Sequence, residues 1–449
     1  MKIFTDNKAR AWFALCVLFG INALNFYDRQ IPAAIMEPLR KEWVLNDSTM
    51  GWLSTAFTLF YALIGVPLGR LSDSWARTRL LGIGVTVWSL LTATSGLTWN
   101  YWSLFVTRLG VGAGEATCAP ASNSMIGDLF PLHQRARALS FFMLGLPVGL
   151  FLSFWLSGRI AHSYGWRAAF YIPFLPGIIL AVLSLAIREP KRGAAEQASN
   201  AGRCRPGSPY ALIFGLPTMV WIIASGALHN FNMYAVNSFM VAFLSRYHHL
   251  GLKESTFTAA VVLGAVGIIG LIAGGWLADQ VGKRRTGGRV LVAALAMLLA
   301  TPCIYLAIEQ PAGAVPAFML LMGSGSLLMF VYYAGVYAAI QEVIEPALRG
   351  TAMALYFCAM YVFGASFGPP ITGWLSDHLA RKAMAQAGAA AMTEQFKAIG
   401  LHHAMYLIPV LCLVLGVVLL AAARAMPADV ERLRRWMRES DPRSQPTSS

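Results

Sequence analysis

Asn22-Ala23-Leu24-Asn25-Phe26-Tyr27-Asp28-Arg29-Gln30 is the stretch that decides how this chain is read. Ala11 to Ile21 before it and Ile31 to Met36 after it are apolar enough for the interior of a bilayer. An acid and an arginine therefore stand side by side inside what reads as a membrane-spanning helix. Ionisable groups at that depth cost several kcal/mol unless paired or wetted, so they usually serve a function.

Working outward, the same apolar character recurs along all 449 residues, of which 57% are hydrophobic and only 12% charged. Runs of about 20 apolar residues, the length that crosses the hydrocarbon, follow one another from end to end. The expected fold class is an all-α polytopic membrane protein. The net charge of +14 does not point to nucleic acid, because the basic residues fall between apolar runs on alternate sides rather than in a stripe. The six cysteines are scattered without disulfide or metal-ligand spacing, so neither a metal nor a cofactor is expected. Met1 to Arg10 is short and polar and reads as no cleavable leader.

Apolar runs and helix breakers divide the chain into twelve expected spans, at roughly 11–37, 49–71, 79–98, 101–125, 137–161, 167–188, 211–245, 255–280, 289–308, 314–342, 350–375 and 402–424. Most Lys and Arg collect on one side, including Arg70, Arg77, Arg135, Arg188, Lys283 to Arg285, Arg349 and the arginines from Arg424 to Arg443. By the positive-inside rule both termini are then cytoplasmic, and the expected location is a multi-pass position in the cell inner (plasma) membrane. Arg29 and Arg108 are the two basic residues left within the bilayer. The expected organisation is a six-helix bundle over residues 1–190, a cytoplasmic linker over 191–210, a second six-helix bundle over 211–425 and a cytoplasmic tail over 426–449.

An internal repeat supports that division. Gly69-Arg70-Leu71-Ser72-Asp73-Ser74-Trp75-Ala76-Arg77-Thr78-Arg79 follows span 2, and Gly275-Trp276-Leu277-Ala278-Asp279-Gln280-Val281-Gly282-Lys283-Arg284 follows span 8. Arg135-Ala136-Arg137-Ala138 opens span 5 and Arg349-Gly350-Thr351-Ala352 opens span 11 at nearly the same offset. Two homologous six-helix halves are what many alternating-access transporters are built from.

Both loops resemble the signature of the major facilitator superfamily, Gly-x-Leu-(Ala/Ser)-Asp-x-x-Gly-Arg/Lys-Lys/Arg. The second copy matches in full; the first has Ala76 where the family has glycine, and Thr78 before its last basic residue. Arg108-Leu109-Gly110-Val111-Gly112 is similar to that family's Arg-x-x-x-Gly element, and Gly145-Leu146-Pro147-Val148-Gly149 to a reduced form of its glycine-proline motif. The resemblance covers essentially the whole chain and implies two pseudo-symmetric six-helix bundles. Asn25-Phe26-Tyr27-Asp28-Arg29-Gln30, Phe60-Tyr61-Ala62-Leu63, Pro67 to Asp73 and Arg108-x6-Glu115-Ala116 look more narrowly like bacterial members of the Spinster (Spns) family. That likeness implies movement of lysophospholipid- or sphingoid-like amphiphiles. In the superfamily the signature loops latch the halves together when the inward side is closed. Carried over, Gly69, Asp73 and Arg77, with Gly275, Asp279, Lys283 and Arg284, become the expected cytoplasmic gate. The plain alternative is a solvated loop that only sets topology.

Depth arithmetic brings the charges together. Asp28 and Arg108 both sit roughly 12–14 Å below the outer surface, on spans 1 and 4, and Glu115 lies two turns beyond Arg108, about 10 Å deeper. Opening and closing an aqueous path to a carboxylate held between burial and an arginine moves a proton on and off it. Asp28 and Glu115 are thus the expected proton-coupling residues. Arg29 and Arg108, always charged, are their partners or an anchor for a substrate anion; which arginine meets Asp28 stays open. The plain alternative is a static ion pair that fixes helix packing.

The second half has no matching pair in its spans, offering instead His229, Asn230, Asn232, Tyr234 and Asn237 on span 7 and tyrosines on spans 10 and 11. Asn25, Tyr61, Asn230, Tyr333 and Tyr356 are the expected cavity-lining residues. Glu342 and Glu345 are expected near Arg349 or at a gate contact, and the tail from Val430 to Arg438 as a basic amphipathic helix on the inner leaflet or a solvated tail. No nucleophile-elbow, zincin or phosphate-loop motif is present, so an enzyme is not expected. The expected partners are a small-molecule or lipid substrate, protons and membrane lipids, with the chain acting as a monomer. The expected function is proton-coupled secondary transport of an amphiphile by alternating access, with an organic or sugar-acid anion carried with protons, or drug efflux, as the alternatives.

Overall fold

Helices begin and end where local chemistry sets them. Asn46 caps span 2 by accepting from Thr49 N at 2.8 Å, and Asn100 opens span 4 in a reciprocal capping box with Ser103. The computed structural model describes residues 7–190, 208–345 and 348–439, and among these every regular element is a helix.

Each of the twelve expected spans falls on helix. In the first half these are Asn7–Ala34 (span 1, extended by Met36–Glu42), Asp47–Ser74 (span 2), Arg77–Ser95 (span 3), Tyr101–Glu115 with Cys118–Leu129 (span 4), the stacked segments from Leu132–Met143 to Gly158–Tyr164 (span 5), and Trp166–Phe170 with Phe174–Ala186 (span 6). The second half follows with Pro217–Arg246 (span 7), Leu252–Ala259 through Val266–Arg284 (span 8), Gly288–Ile308 (span 9), Val315–Val343 (span 10), Arg349–Ala359 through Gly368–Gln386 (span 11), and Glu394–Met405 with Leu407–Glu439 (span 12). Eight of these stretches are long and apolar enough to cross a bilayer by length and composition alone. The helix of span 12 runs on past residue 425 without a break: Leu407–Glu439 is one helix. Val430 and Leu433 are buried, and Asp429 accepts from both N and Oγ1 of Thr218 at the start of span 7.

The end carrying the two signature loops is termed the inner end, and the opposite end the outer. Apolar packing differs between them. One continuous core joins the halves on the outer side, running from Tyr27, Ile31, Met36, Leu53 and Phe154 to Phe239, Phe243, Leu263 and Phe330. The inner part of the first half has its own core, around Leu15, Leu18, Leu81, Val85, Met125 and Phe142. Spans 5 and 8 cross closely in the outer half, where a Cβ on Gly264 would lie 2.5 Å from the Phe151 backbone. Towards the inner end, Gly65, Gly69, Gly275 and Gly350 face open space. The halves are sealed at the outer end and parted at the inner end, an inward-facing arrangement.

Candidate functional site

The site is set by a proline. Pro32 lies inside span 1 and has no N–H, so the carbonyl four residues back, that of Asp28, loses its helical partner. Arg108 of span 4 takes up the vacated acceptor: its Nη2 donates to Asp28 O at 2.9 Å. Arg108 is 1% exposed, and Gly112 one turn on lets span 4 close onto span 2, where a Cβ would lie 2.9 Å from Phe57 O. Span 4 then breaks after Glu115, because Pro120 cannot bond back to Ala116 and the chain restarts as Cys118–Leu129.

Neighbours on a helix point about 100° apart, and Asp28 and Arg29 part company accordingly. Arg29 shares a face with Asn25, four residues back, whose Oδ1 accepts from Arg29 Nη2 at 3.1 Å. The same Nη2 lies 3.3 Å from Glu115 Oε2, which also accepts from Asn25 Nδ2 at 3.0 Å. Arg29 Nη1 crosses to the second half and donates to Tyr234 OH at 3.0 Å and Tyr361 OH at 3.4 Å. The rings of Phe26, Phe57, Tyr61 and Tyr361 surround the guanidinium with centroids 4.6–5.8 Å away, a cation–π cage that offsets part of its desolvation. Arg29 thus bridges span 1, span 4 and both halves.

The Asp28 carboxyl makes no such bond. It is fully buried and neither oxygen has a hydrogen-bond partner. Equal depth on spans 1 and 4 made a carboxylate–guanidinium pair with Arg108 conceivable; the contact that forms instead is between Arg108 and the Asp28 main chain. The ion pair of the cluster is Arg29–Glu115.

The central cavity is walled by Asn25, Phe26, Tyr61, Phe142 and Leu146 from the first half and by Asn230, Met233, Tyr333, Tyr337 and Tyr361 from the second. Of the expected lining residues, Tyr356 stands apart: it is fully buried one layer back, its hydroxyl 3.0 Å from that of Tyr332. The wall is aromatic with a few amides, which suits an amphiphile better than a strongly hydrated ion.

At the inner end the expected gate residues are separately engaged. Arg77 is buried within the first half, bonding Asp128 at 2.5 Å, Glu189 at 2.8 Å and Ser124 at 2.7 Å. Asp279 pairs with Arg289 at 3.0 Å rather than with Lys283 or Arg284, which are exposed, and Arg289 also contacts Glu342. Arg349 donates to Ile344 O and not to Glu342. The side chain of Asp73 lies outside the described residues, as do residues 191–207 of the expected linker. In each half, then, an arginine at the start of the third helix meets an acid at the end of the fourth.

The outer seal is the feature that reading the sequence missed. Arg246, at the end of span 7, binds both Asp47 oxygens at 2.8 Å and Glu37 at 2.6 Å. Ser376 of span 11 donates to Asp47 at 2.8 Å, and the Asp377 carboxylate accepts from N–H of Asp47 and Ser48 at the start of span 2, where the helix dipole favours an anion. Arg40 adds Glu394 at 2.6 Å. Below this network Thr55 and Thr58 of span 2 bond Ser366 of span 11. The polar ties between the halves therefore run from the level of Arg29 outward.

Comparison with known proteins agrees with this architecture. The family model described as Major Facilitator Superfamily matches residues 18–369. An "MFS-type efflux pump" of Mycolicibacterium smegmatis is 29% identical over 381 residues, covering 84% of this chain and 87% of that protein. "Protein spinster homolog 3" of Danio rerio is 27% identical over 394 residues, covering 84% and 78%. Among solved structures, a bacterial homolog to the human lysosomal transporter Spinster, in an inward-facing and unoccupied conformation, superimposes with a TM-score of 0.82 at 24% identity over 94% of this chain and 98% of its own. A D-xylose-proton symporter gives 0.62 at 18% identity, covering 88% and 96%.

Proposed function

The chain belongs to the major facilitator superfamily, and on that premise we propose that it is a proton-coupled secondary transporter that moves a lysophospholipid- or sphingoid-like amphiphile by alternating access. The observation that carries the reading is the division of labour between adjacent residues. Arg29 is held in the first half by Glu115 and ties it to the second through Tyr234 and Tyr361, while Asp28 sits beside that tie with an uncommitted carboxyl. A proton that neutralises Glu115 weakens the ion pair that holds the Arg29 guanidinium within the first half. The same guanidinium carries the bonds to Tyr234 and Tyr361 of the second half, so protonation and rearrangement are linked through it. Asp28 and Glu115 carry the proton; Arg29 and Arg108 stay charged and orient them.

The substrate class rests on the aromatic, amide-bearing cavity wall and on the resemblance to Spinster proteins. Efflux of an apolar organic compound is the second reading, favoured by the Mycolicibacterium smegmatis relative named as an efflux pump. A sugar-acid anion is less favoured, since the guanidinium that would bind it is already enclosed by Glu115 and four rings. The transporter works as a monomer in the inner membrane with both termini in the cytoplasm, an orientation that places the parted end towards the cytoplasm.

The test is transport in proteoliposomes under an imposed pH gradient, comparing labelled lysophosphatidylcholine with a labelled sugar acid. Gradient-driven lysolipid movement that is lost in Asp28→Asn and in Glu115→Gln is expected. Both variants retaining it would refute the coupling.

A further inference from the structure

Asp28 and Arg29 face different compartments. Asn25, Arg29 and Gln30 border the cavities between the halves. Asp28 borders neither and is 0% exposed, its carboxyl turned into the first half. What it meets there comes from span 3. Trp88 is among the largest fully buried side chains, and its indole faces the Asp28 carboxyl. Trp88 Nε1 is itself buried and without a hydrogen-bond partner, as are both Asp28 oxygens, Arg108 Nη1 and Glu115 Oε1. Leaving so many polar atoms unpaired in a protein interior is costly, and each ordinarily has a partner.

Span 4 is shaped to admit this indole. Gly114 sits directly against Trp88, where a Cβ would lie 2.8 Å from the Trp88 Cβ and 3.1 Å from its backbone nitrogen. Any other residue beside Glu115 would push span 3, and the indole with it, away from span 1. The charged and titratable groups facing Asp28 are Arg108 and Glu115 from span 4 and Tyr27 from its own helix. Span 5 brings the hydroxyls of Ser153 and Ser157 to Tyr27. Trp88 is thus the neutral donor in a ring of charges.

We propose that Trp88 is a positioning residue for the proton site. Its indole N–H holds the ionised Asp28 carboxyl inside the first half, so that proton and substrate occupy separate compartments and communicate through Arg108 and Arg29. An indole has one donor and no acceptor, so it favours the carboxylate over the acid and releases the group when the proton arrives. In this conformation neither the indole N–H nor the carboxyl is committed to another partner, as a site that loads and unloads requires. The inference rests on the proton-coupled reading above.

Infrared difference spectra of the detergent-solubilised protein, recorded across a pH titration, separate the two. A protonated-carboxyl carbonyl band that disappears in Asp28→Asn reports the proton site. In Trp88→Phe its midpoint is expected to move to higher pH by about one unit, the worth of one hydrogen bond to a charged group. Trp88→His, with a ring N–H, is expected to return it part of the way. A band that depends on Asp28 but keeps its midpoint in Trp88→Phe overturns the role of Trp88 alone. A band untouched by Asp28→Asn overturns the proton reading and this inference with it. A second measurement does not depend on the tryptophan variants folding. With the six native cysteines replaced, a charged methanethiosulfonate is expected to label Asn25→Cys at least tenfold faster than Asp28→Cys. Equal rates overturn the separate compartments.

Discussion

Arg246, the last residue of span 7, binds Asp47, the first residue of span 2, through two parallel N–H···O contacts of 2.8 Å each, across the seam between the halves. The geometry is the bidentate fork that makes arginine–carboxylate pairs strong and directional. Both side chains are buried, at 3% and 4% exposed. Removing one member of such a pair strands the other and costs about 3–5 kcal/mol. That cost falls only on the conformation in which the pair is buried. Arg246→Ala is therefore expected to shift the population at least tenfold towards an outer-open form, in which Asp47 and Glu37 regain water. Spin labels at Val44 and Met392, which border the outer seam from opposite halves, report the change as a longer distance component. An unchanged distance distribution would show that the network is not a latch.

Arg77 was expected at a gate, yet its guanidinium is spent inside the first half on Asp128, Glu189 and Ser124. Arg77→Ala is accordingly expected to lower unfolding stability by about 1–3 kcal/mol, less than for a fully buried pair because Glu189 is 33% exposed and regains water. Arg284→Ala, at an exposed position, should stay within about 0.5 kcal/mol of the parent. Thermal unfolding in detergent compares the two. A large loss of transport with unchanged stability in Arg77→Ala would return the residue to a gating role.

His248 lies outside the spans, at the outer end, where its Nδ1 accepts from Gly313 N at 3.3 Å. Burial pushes its imidazole down to about 4, with His402 and His249 adding repulsion. The unfolded chain therefore binds a proton near pH 6.5 that the folded chain refuses until about pH 4. Stability from this site is present above about pH 6.5 and is lost progressively as pH falls towards 4. His248→Asn keeps an acceptor without the titration and is expected to flatten that part of the stability–pH curve. A wild-type curve with the same slope as the variant would refute the assignment.

Legibility in the sequence was uneven, for physical reasons. Helical spans announce themselves because the bilayer demands long apolar runs, and the repeated Gly-x-Leu-x-Asp loops marked the two halves. The cluster of Asp28, Arg29, Arg108 and Glu115 was legible as a set, since charges at that depth have few places to go. The pairings were not, because depth says nothing about azimuth. Two signals were nonetheless in the letters. Asn25 and Arg29 are four apart and so share a face, and Pro32 is four after Asp28 and so frees its carbonyl. The outer seal left no comparable trace. Glu37, Arg40, Asp47, Asp377 and Glu394 look like ordinary loop charges, and only the fold brings them to Arg246.

Two glycines on one helix make opposite predictions. At Gly264 a Cβ would meet the Phe151 backbone at 2.5 Å, and backbone cannot swing aside. Gly264→Ala must separate spans 5 and 8 at the sealed outer end, so it is expected to destabilise the inward-facing form. Gly275, in the second signature loop, faces open space in this form and lies inside the helix Val266–Arg284. There alanine gains helix propensity of up to about 1 kcal/mol. If the inner end closes over this loop, as the latch role implied by the superfamily signature requires, the added methyl obstructs closure. Gly275→Ala is thus expected to raise thermal stability slightly while cutting transport at least tenfold, trapping the conformation seen here. Normal transport by Gly275→Ala would mean that the loop is not packed against the first half in the closed state, and the gate would have to lie elsewhere.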